Sequence, residues 1–277
     1  MDHIVQNELV SDSLVAQFEE IGAVRLQNAF DSQWVQSLQD AIEERISGEG
    51  DKDGLRDEFT QAGANGRFVS ELFPWRSNPV FKKFLMNSLA AEIAGAFLGA
   101  SRINLLFDQI LVKEPGTNDR TNWHQDLPFW PVSGKQVLTI WLALDNVSAE
   151  SGAVQFIPGS HMTGKMYRPE HPAAGPDSDF ANVDLPRCPD FDKDSNLSET
   201  ITWDLKPGDC YVFNSRTIHG AAGNRSTTSR RRGYATRWTG DDARFVAGRH
   251  VLSLPEDPGL QHGALLDSDL FPVVWNG

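Results

Sequence analysis

From about residue 101 the chain consists of short β-branched and aromatic runs separated by turn residues, and this alternation constrains the fold more than any other feature. The runs are INLLFDQILVK, QVLTIWLALD, GAVQFIP, TITWDL, DCYVFNS and RRGYATRWT. Between them lie PGTND, SAESG, IPGSH and LKPGD, which place Gly, Pro, Asn or Asp in turn positions. Many short strands with such turns predict an antiparallel sandwich or small barrel of the jelly-roll kind.

The first hundred residues instead predict mainly helices that pack on this sheet. Asp31 is placed to cap a helix whose apolar residues recur at helical spacing, namely Trp34, Val35, Leu38, Ile42 and Ile46. GEGDKDG at 48–54 breaks that pattern. Asn78 followed by Pro79 predicts the start of a second helix that ends at Gly99. Its apolar side consists of Phe81, Phe84, Leu85, Leu89, Ile93 and Phe97.

We interpret the 277 residues as one domain, because neither an internal repeat nor a second domain is evident. We expect a mainly β fold with flanking α-helices: residues 1–100 as a mainly helical support region, 101–240 as a jelly-roll core that includes the segment 163–200, and 241–277 as a C-terminal extension. The segment 163–200 lacks strand alternation and is rich in Pro, Asp, Ser and Asn. We expect it to be a lid-like loop, with a disordered surface insertion as the alternative.

Composition narrows the class of partner. The formal net charge is −13 and no basic tail offsets it, which disfavours nucleic acid. Residues 229–232, SRRR, are a local basic cluster that suits a small anion better than a polyanion. No apolar run reaches the length of a membrane span. The start MDHIVQNELVSDS lacks the features of a signal peptide, and two cysteines are too few for a disulfide framework, so we expect a cytoplasmic protein without membrane partners.

The run NWHQDLPFW places two ionisable residues in apolar surroundings. His124 and Asp126 lie two positions apart among Trp123, Phe129 and Trp130. A strand period of two predicts that both side chains share one face. Burying such a pair is costly unless a partner compensates it, and a metal ion is one such partner.

A third ligand has to come from elsewhere in the chain. His219 follows the apolar run that contains Tyr211 and Phe213 and precedes a glycine, where a strand end can approach a cavity. It is the best candidate, and His161 in the turn PGSH competes with it. The other histidines lie at the terminus or in polar connections, namely His3, His171, His250 and His262.

Two imidazoles and one carboxylate leave adjacent coordination positions open, which suits Fe(II) of the non-haem oxygenase type. A catalytic zinc ion also accepts this ligand set, and His-X-Asp alone often marks an ordinary hydrogen-bonded pair. Arg230 lies 11 residues after His219 and could hold the far carboxylate of an iron-chelated keto-diacid through two parallel hydrogen bonds. Alternation puts Arg230 and Arg232 on one face, and we interpret Arg231 as part of a solvated surface turn.

Taken together, WHQD, the strand WLALD, the turn SAESGAVQFIPGSH, the strand LKPGDCYVFNSRTIHGA and Arg230 resemble the phytanoyl-CoA dioxygenase family. The resemblance runs from about Leu105 to Trp238. It implies a double-stranded β-helix core and an Fe(II)- and 2-oxoglutarate-dependent oxygenase with O2 as the second co-substrate.

The resemblance also implies roles for individual residues. His124, Asp126 and His219 match the iron ligands, and Arg230 matches the anchor of 2-oxoglutarate. The other matches are Trp141 beside the co-substrate, Gln109 as a polar residue near the keto acid, and His161 in a structural turn. Ala221 departs from the family pattern, because some members have a serine there that touches 2-oxoglutarate.

The activity that the resemblance implies is hydroxylation of an unactivated C–H bond of a small-molecule metabolite, with release of succinate and CO2. Related halogenases have a small residue where this chain has Asp126, so hydroxylation is the expected outcome, with desaturation or ring chemistry left open. The alternative is a metal-dependent hydrolase or a non-catalytic binding module on the same fold, neither of which explains Arg230. Neither the substrate nor the oligomeric state follows from the sequence.

Overall fold

The computed structural model describes residues 9–47, 55–60, 65–169, 184–193, 199–248 and 252–277. Its α-helices are α1 Asp12–Ile21, α2 Ser32–Ser47, α3 Pro79–Asn87 and α4 Ala90–Leu98. The first seven strands are β1 Ala23–Leu26, β2 Arg56–Phe59, β3 Phe68–Leu72, β4 Arg102–Lys113, β5 Thr121–His124, β6 Val132–Ser133 and β7 Val137–Ala143. The remaining strands are β8 Val154–Phe156, β9 Cys210–Asn214, β10 His219–Ala221, β11 Arg231–Thr239, β12 Arg244–Phe245 and β13 Val273–Asn276. None of the helices in this part of the chain is long and apolar enough to cross a membrane.

The strands form two principal sheets. The larger sheet has eight strands in the order β1-β9-β7-β11-β4-β3-β2, with β13 also paired to β4. The smaller sheet has the order β5-β10-β8, and β12 pairs with β6. Neighbouring strands are antiparallel throughout. The double-stranded β-helix that the sequence predicted is confirmed.

The larger sheet is buried on both faces, and side-chain alternation gives the faces different roles. On one face Tyr234 of β11 packs against Phe81 and Phe84 of α3. On the other face Trp141 of β7 belongs to an apolar cluster that also contains Phe156 of the smaller sheet. The helices therefore cover the outside of the larger sheet, and its inside faces the smaller sheet.

The first predicted helix is confirmed, and Asp31 accepts a hydrogen bond from the backbone N–H of Trp34 at 2.9 Å. The support region is less helical than predicted, because β1, β2 and β3 extend the larger sheet at its two edges. These strands are four or five residues long, which is too short for alternation to distinguish them from loops. The predicted break at 48–54 lies outside the described residues.

The prediction of one helix from Asn78 to Gly99 is wrong, because α3 and α4 are separate helices. Asn78 caps α3 as predicted, accepting from the N–H of Val80 at 2.8 Å. Ser88 then adopts an extended conformation with ψ 173°, and its hydroxyl accepts from the N–H of Ala90. Leu89, expected on the apolar side, is 42% exposed. The serine thus ends α3, and α4 starts after Leu89.

The predicted strand TITWDL is also wrong as a continuous element. Only isolated bridges pair Ile201 with Phe156 and Leu205 with Val147. Between these two points the hydroxyl of Thr202 donates to the carbonyl of Val154 at 2.7 Å. The run follows the smaller sheet without forming a regular ladder.

The described part of the lid-like segment contacts the structure next to His124. Phe191 packs edge-on against Trp123 with ring centroids 5.5 Å apart. Arg120 forms ion pairs with Asp190 and Asp192. Residues 170–183 and 194–198 of the segment lie outside the described residues, and its function as a lid stays a prediction.

Candidate active site

His124, Asp126 and His219 come together between the two sheets. Their potential ligand atoms all lie within 4.8 Å of one another. His219 pairs directly with His124 across β10 and β5, so the two imidazoles come from adjacent strands. The predicted reason for the position of Asp126 is wrong, because β5 ends at His124 and Asp126 lies in the following turn with φ −72° and ψ −43°. That turn is held by a hydrogen bond from the N–H of Leu127 to the carbonyl of Ser215.

Backbone carbonyls orient both imidazoles. Nδ1 of His124 lies 2.7 Å from the carbonyl of Asn122, and Nδ1 of His219 lies 3.0 Å from that of Thr217. Because a carbonyl only accepts, each Nδ1 carries the proton and each Nε2 has a free lone pair. The Nε2 atoms face Oδ1 of Asp126 at 3.5 Å and 3.8 Å. This tautomer is the one that binds a metal through Nε2.

Thr139 on β7 orients the carboxylate. Its hydroxyl donates to Oδ2 of Asp126 at 2.9 Å, which leaves Oδ1 directed at the two imidazoles. Burial by itself raises the pKa of Asp126, but His219 and His124 outweigh burial and hold it well below its usual range. The carboxyl group is therefore ionised, as a metal ligand must be.

Burial and the neighbouring His124 together lower the pKa of His219 to about 4, although Asp126 acts in the opposite direction. At neutral pH this imidazole is uncharged and able to donate its lone pair. Two imidazole nitrogens and one ionised carboxylate, all converging within 4.8 Å, fit a divalent first-row transition metal such as Fe(II).

The three residues line a cavity of about 450 Å³, a volume in the range of small-molecule sites. We call it the central cavity. Its walls are mostly apolar and include Leu55, Phe59, Phe68, Leu72, Phe107, Leu111, Phe129, Trp130, Trp141, Val154, Phe213 and Leu252. Among the residues that line it, Arg231 and Arg237 are the cations. A dry wall around a reactive centre protects it from water.

Arg230 does not line the central cavity, and the prediction that it faces the co-substrate is corrected. Its guanidinium donates to Glu114 at 2.8 Å and to Glu43 at 2.5 Å. Glu43 belongs to α2, so Arg230 points towards the helical layer. Arg232 shares that face, as alternation predicted, and binds Asp145 and Glu43.

Arg231 faces the central cavity instead. It is 2% exposed, and its guanidinium lies over the ring of Trp141 at 5.3 Å. Its hydrogen bonds are long ones to the carbonyls of Leu111 and Gly152, both at 3.4 Å. Its Nε has no hydrogen-bond partner among the described residues, and the interpretation of Arg231 as a solvated turn residue is wrong.

Gly233 explains why Arg231, and not Arg230, is on the face of β11 that lines the central cavity. A Cβ atom at Gly233 would lie 2.0 Å from the indole of Trp141, so this position has to face Trp141 without a side chain. Alternation then places Arg231 on the same face, whereas Tyr234 faces the helices. Both faces of β11 are buried, and polarity alone therefore could not have indicated which arginine points inwards.

The remaining predicted residues are placed as follows. Trp141 and Gln109 line the central cavity, and Ala221 lines it as well. Gln109 donates to the hydroxyl of Ser70 at 2.8 Å and accepts from Arg237 at 2.5 Å. His161 is outside the triad, and its Nε2 lies 3.0 Å from the carbonyl of Glu19 at the end of α1.

Sequence reasoning missed Thr139 and Arg237. Thr139 lies two residues before Trp141 in an otherwise apolar strand, and this polar residue on the same face was an available signal. Arg237 lies six residues after Arg231, so alternation puts it on the same face once that face is known. It pairs with Thr139 across β11 and β7, which places it level with Asp126.

Comparison with known proteins agrees with this geometry. The family model "Phytanoyl-CoA dioxygenase (PhyH)" matches residues 18–232. The chain belongs to the phytanoyl-CoA dioxygenase family. The multifunctional dioxygenase prhA of Penicillium brasilianum is 26% identical over 81% of this chain and 71% of its own length.

Two solved structures have a similar fold. The non-heme alpha-ketoglutarate-dependent carbocyclase SnoK from nogalamycin biosynthesis is 26% identical, with a TM-score of 0.71 over 95% of this chain and 96% of its own. The epimerase SnoN, solved with Fe3+, alpha-ketoglutarate and nogalamycin RO, is 22% identical with a TM-score of 0.72 over 95% of this chain and 98% of its own. The predicted family and its cofactors, iron and 2-oxoglutarate with O2, are confirmed.

Proposed function

We propose that this phytanoyl-CoA dioxygenase family member hydroxylates an unactivated C–H bond of a small-molecule metabolite. In the overall reaction the substrate C–H, 2-oxoglutarate and O2 become an alcohol, succinate and CO2. His124, Asp126 and His219 would hold Fe(II). When bound, the iron with its co-substrates supplies an oxidant strong enough for such a bond, while the protein orients and shields the reactants.

The observation that carries the proposal is the triad at the wall of a cavity that also holds a buried, unpaired guanidinium. Arg231 forms no ion pair in the described part of the chain, yet burial lowers its pKa only to about 10, so it is charged at neutral pH. A buried charge without a partner is costly. The distal carboxylate of 2-oxoglutarate is the partner that we assign to Arg231.

The buried neighbour Lys113 strengthens this assignment. Lys113 pairs with Arg231 across β4 and β11, and its Nζ donates to the carbonyl of Ala222 at 2.6 Å. Burial and the neighbouring Arg231 hold the pKa of Lys113 well below its usual value. A carboxylate bound to Arg231 would offset the positive charge of Arg231 that acts on Lys113. The alternative functions, a hydrolase or a simple binding module, do not explain why the buried guanidinium of Arg231 lines the same cavity as the triad.

The side chains around the triad support hydroxylation as the outcome. Asp126 supplies a carboxylate that Thr139 holds in place. A halide would therefore find this ligand position on a bound iron already taken by the protein. Trp141 would lie beside 2-oxoglutarate, and Gln109 would lie near the keto acid. SnoK and SnoN are named as a carbocyclase and an epimerase, so ring closure or epimerisation is the outcome against which product analysis has to discriminate.

Metal binding and co-substrate turnover test the proposal together. We expect the wild type to bind Fe(II) and convert 2-oxoglutarate to succinate, faster when its substrate is present. His124→Ala and His219→Ala remove an imidazole nitrogen from the metal, so both activities fall to background while circular dichroism stays unchanged. Fe(II) binding is measured by anaerobic calorimetry and succinate by mass spectrometry.

His262→Ala is the matched control, because His262 is an exposed histidine far from the triad in sequence and its loss leaves both measurements unchanged. Succinate formation that survives in His219→Ala would contradict the triad. Equal turnover of a substrate with zinc and without 2-oxoglutarate would favour the hydrolase alternative. If the product contains no oxygen atom from labelled O2, the reaction is not hydroxylation but another oxidation, such as ring closure or desaturation.

A further inference from the structure

The central cavity contains a second buried guanidinium that binding of 2-oxoglutarate leaves unused. Arg237 is 6% exposed and lines the cavity together with Arg231. The two arginines are six residues apart on β11, so their Cα atoms are roughly 20 Å apart along the strand. The guanidinium of Arg231 lies nearer to the triad than its Cα atom, over Trp141, whose partner on β11 is Ala235. Arg237 is level with Thr139 and Asp126, so a ligand that extends from the triad to Arg231 leads away from Arg237.

The surroundings of Arg237 leave one edge of its guanidinium without a hydrogen-bond partner in the described part of the chain. Its Cζ lies 4.6 Å from the ring centre of Phe107 and 6.0 Å from that of Trp130. Nη1 donates to the carbonyl of Ala235 at 3.0 Å, and Nη2 donates to Oε1 of Gln109 at 2.5 Å. Nε has no hydrogen-bond partner among the described residues. Nε is itself buried, so this edge of the guanidinium carries an unsatisfied donor at the wall of the central cavity.

The charges in the central cavity with Fe(II) and 2-oxoglutarate bound indicate which kind of ligand suits the Nε edge of Arg237. Fe(II) and the dianion of 2-oxoglutarate cancel each other, and Asp126 offsets one of the two guanidiniums. Among the groups that line the cavity, which do not include Lys113 or Asp108, one positive charge therefore remains. The other acid that lines the cavity, Asp57, is an exposed residue of the edge strand β2. A singly charged anion beside Arg237 would neutralise the buried excess.

We infer that the substrate carries one carboxylate on an apolar body, and that Arg237 binds this carboxylate while the body packs along the aromatic wall. The inference rests on the proposed function, because it names the substrate class of the same site. Gln109 acts as a positioning residue: it accepts from Arg237 and donates to Ser70, which fixes the guanidinium. A carboxylate fixed at Arg237 sets which carbon atom of the body lies next to the triad.

Binding of straight-chain probes tests this assignment without knowledge of the substrate. The probes are carboxylates from butyrate to decanoate and the primary amides of the same lengths. They are titrated by anaerobic calorimetry into wild-type protein loaded with Fe(II) and 2-oxoglutarate. We expect the best carboxylate to bind at least about tenfold more tightly than its amide. Alkylphosphonates form a third series, and tighter binding of these than of the carboxylates would overturn the carboxylate assignment.

Variants on the same strand separate Arg237 from the co-substrate site. Arg237→Met is expected to abolish the preference for carboxylate over amide, Arg237→Lys to restore part of it, and neither to change the Kd of 2-oxoglutarate more than about threefold. Arg231→Met is the matched comparison, in which the 2-oxoglutarate Kd rises and the probe preference remains. Arg230→Met, at the outward-facing arginine, changes neither quantity.

Several results would overturn the inference. They are the absence of any carboxylate preference in the wild type, its persistence in Arg237→Met, and a loss of 2-oxoglutarate affinity in Arg237→Met as large as in Arg231→Met. If Arg237→Met does not fold, the preference for carboxylate over amide in the wild type and its partial loss in Arg237→Lys still test the inference. If the wild type binds no 2-oxoglutarate, the proposed function fails, and the same titration on metal-free protein still measures the preference at Arg237.

Discussion

Three consecutive arginines in this chain experience two different electrostatic environments. Arg230 and Arg232 are partly exposed, with side chains 33% and 15% accessible, and share Glu43 as an ion-pair partner. Arg231 is buried over Trp141 and has no carboxylate partner in the described chain. Exposed ion pairs contribute little to stability, whereas a buried unpaired guanidinium strongly favours an incoming carboxylate. The single residue that faces inwards is therefore the one expected to control 2-oxoglutarate affinity.

Replacing Arg231 with Met retains its approximate volume and removes its charge. We expect the Kd of 2-oxoglutarate to rise at least about 30-fold, since truncating one partner of a buried charged pair costs roughly 2–5 kcal/mol. Arg230→Met leaves that Kd within about twofold, because a solvated ion pair contributes less than about 1 kcal/mol. Calorimetry with Fe(II)-loaded protein measures both. A larger defect in Arg230→Met would restore the original sequence prediction.

At the scale of elements, the sequence predicted those strands whose composition is distinctive and missed those decided by tertiary pairing. The runs around Gln109, Trp141 and Tyr211 form β4, β7 and β9 as predicted. The strands β1 to β3 were missed, because β1 pairs with β9 and β3 with β4, which lie far away in sequence, and β2 joins the sheet only through β3. The triad was predictable because its ligand chemistry restricts residue type. The inward phase of β11 was not, because both of its faces are buried.

A substitution at Gly233 tests which face of β11 points towards Trp141 and the central cavity. In Gly233→Ala the new Cβ would lie 2.0 Å from the Trp141 indole, so we expect a loss of about 1–3 kcal/mol in the free energy of unfolding. Displacing the indole also disturbs the Arg231 contact and weakens 2-oxoglutarate binding. Chemical denaturation and calorimetry measure the two effects. Trp141→Leu in the same background is expected to recover part of the stability.

Gly99→Ala is the comparison variant for Gly233→Ala. A Cβ at Gly99 meets no atom within 4 Å, but the residue has φ +57°. We expect a backbone cost of about 1 kcal/mol without any change in 2-oxoglutarate affinity. Should Gly233→Ala behave like Gly99→Ala in both measurements, the inward orientation of Trp141 and Arg231 would be wrong.

Over the whole molecule, one face of the larger sheet lines the central cavity, and the other face packs against the helices. Asp108 of β4 lies on the exterior face between the sheet and the helical layer. Its carboxyl group accepts from the hydroxyl of Tyr234 at 2.7 Å and from the N–H of Trp75 at 3.1 Å. Burial raises the pKa of Asp108 to about 7, although these hydrogen bonds act in the opposite direction. The folded protein therefore holds a proton that the unfolded chain releases near pH 4.

This difference makes the stability of the molecule depend on pH. The contribution of protonated Asp108 is complete below about pH 4, the unfolded pKa, and is lost as pH rises towards 7, the folded pKa. Asn is uncharged at every pH and still accepts from Tyr234 and Trp75. Relative to Asp108→Asn, we expect the wild-type free energy of unfolding to fall by on the order of 2 kcal/mol between pH 5 and 8. Urea denaturation of both proteins in the same buffers measures it, with Asp267→Asn, whose side chain is 62% exposed, as the baseline. A difference between wild type and Asp108→Asn that is as flat across this range as the Asp267→Asn baseline would show that Asp108 is not protonated in the folded protein.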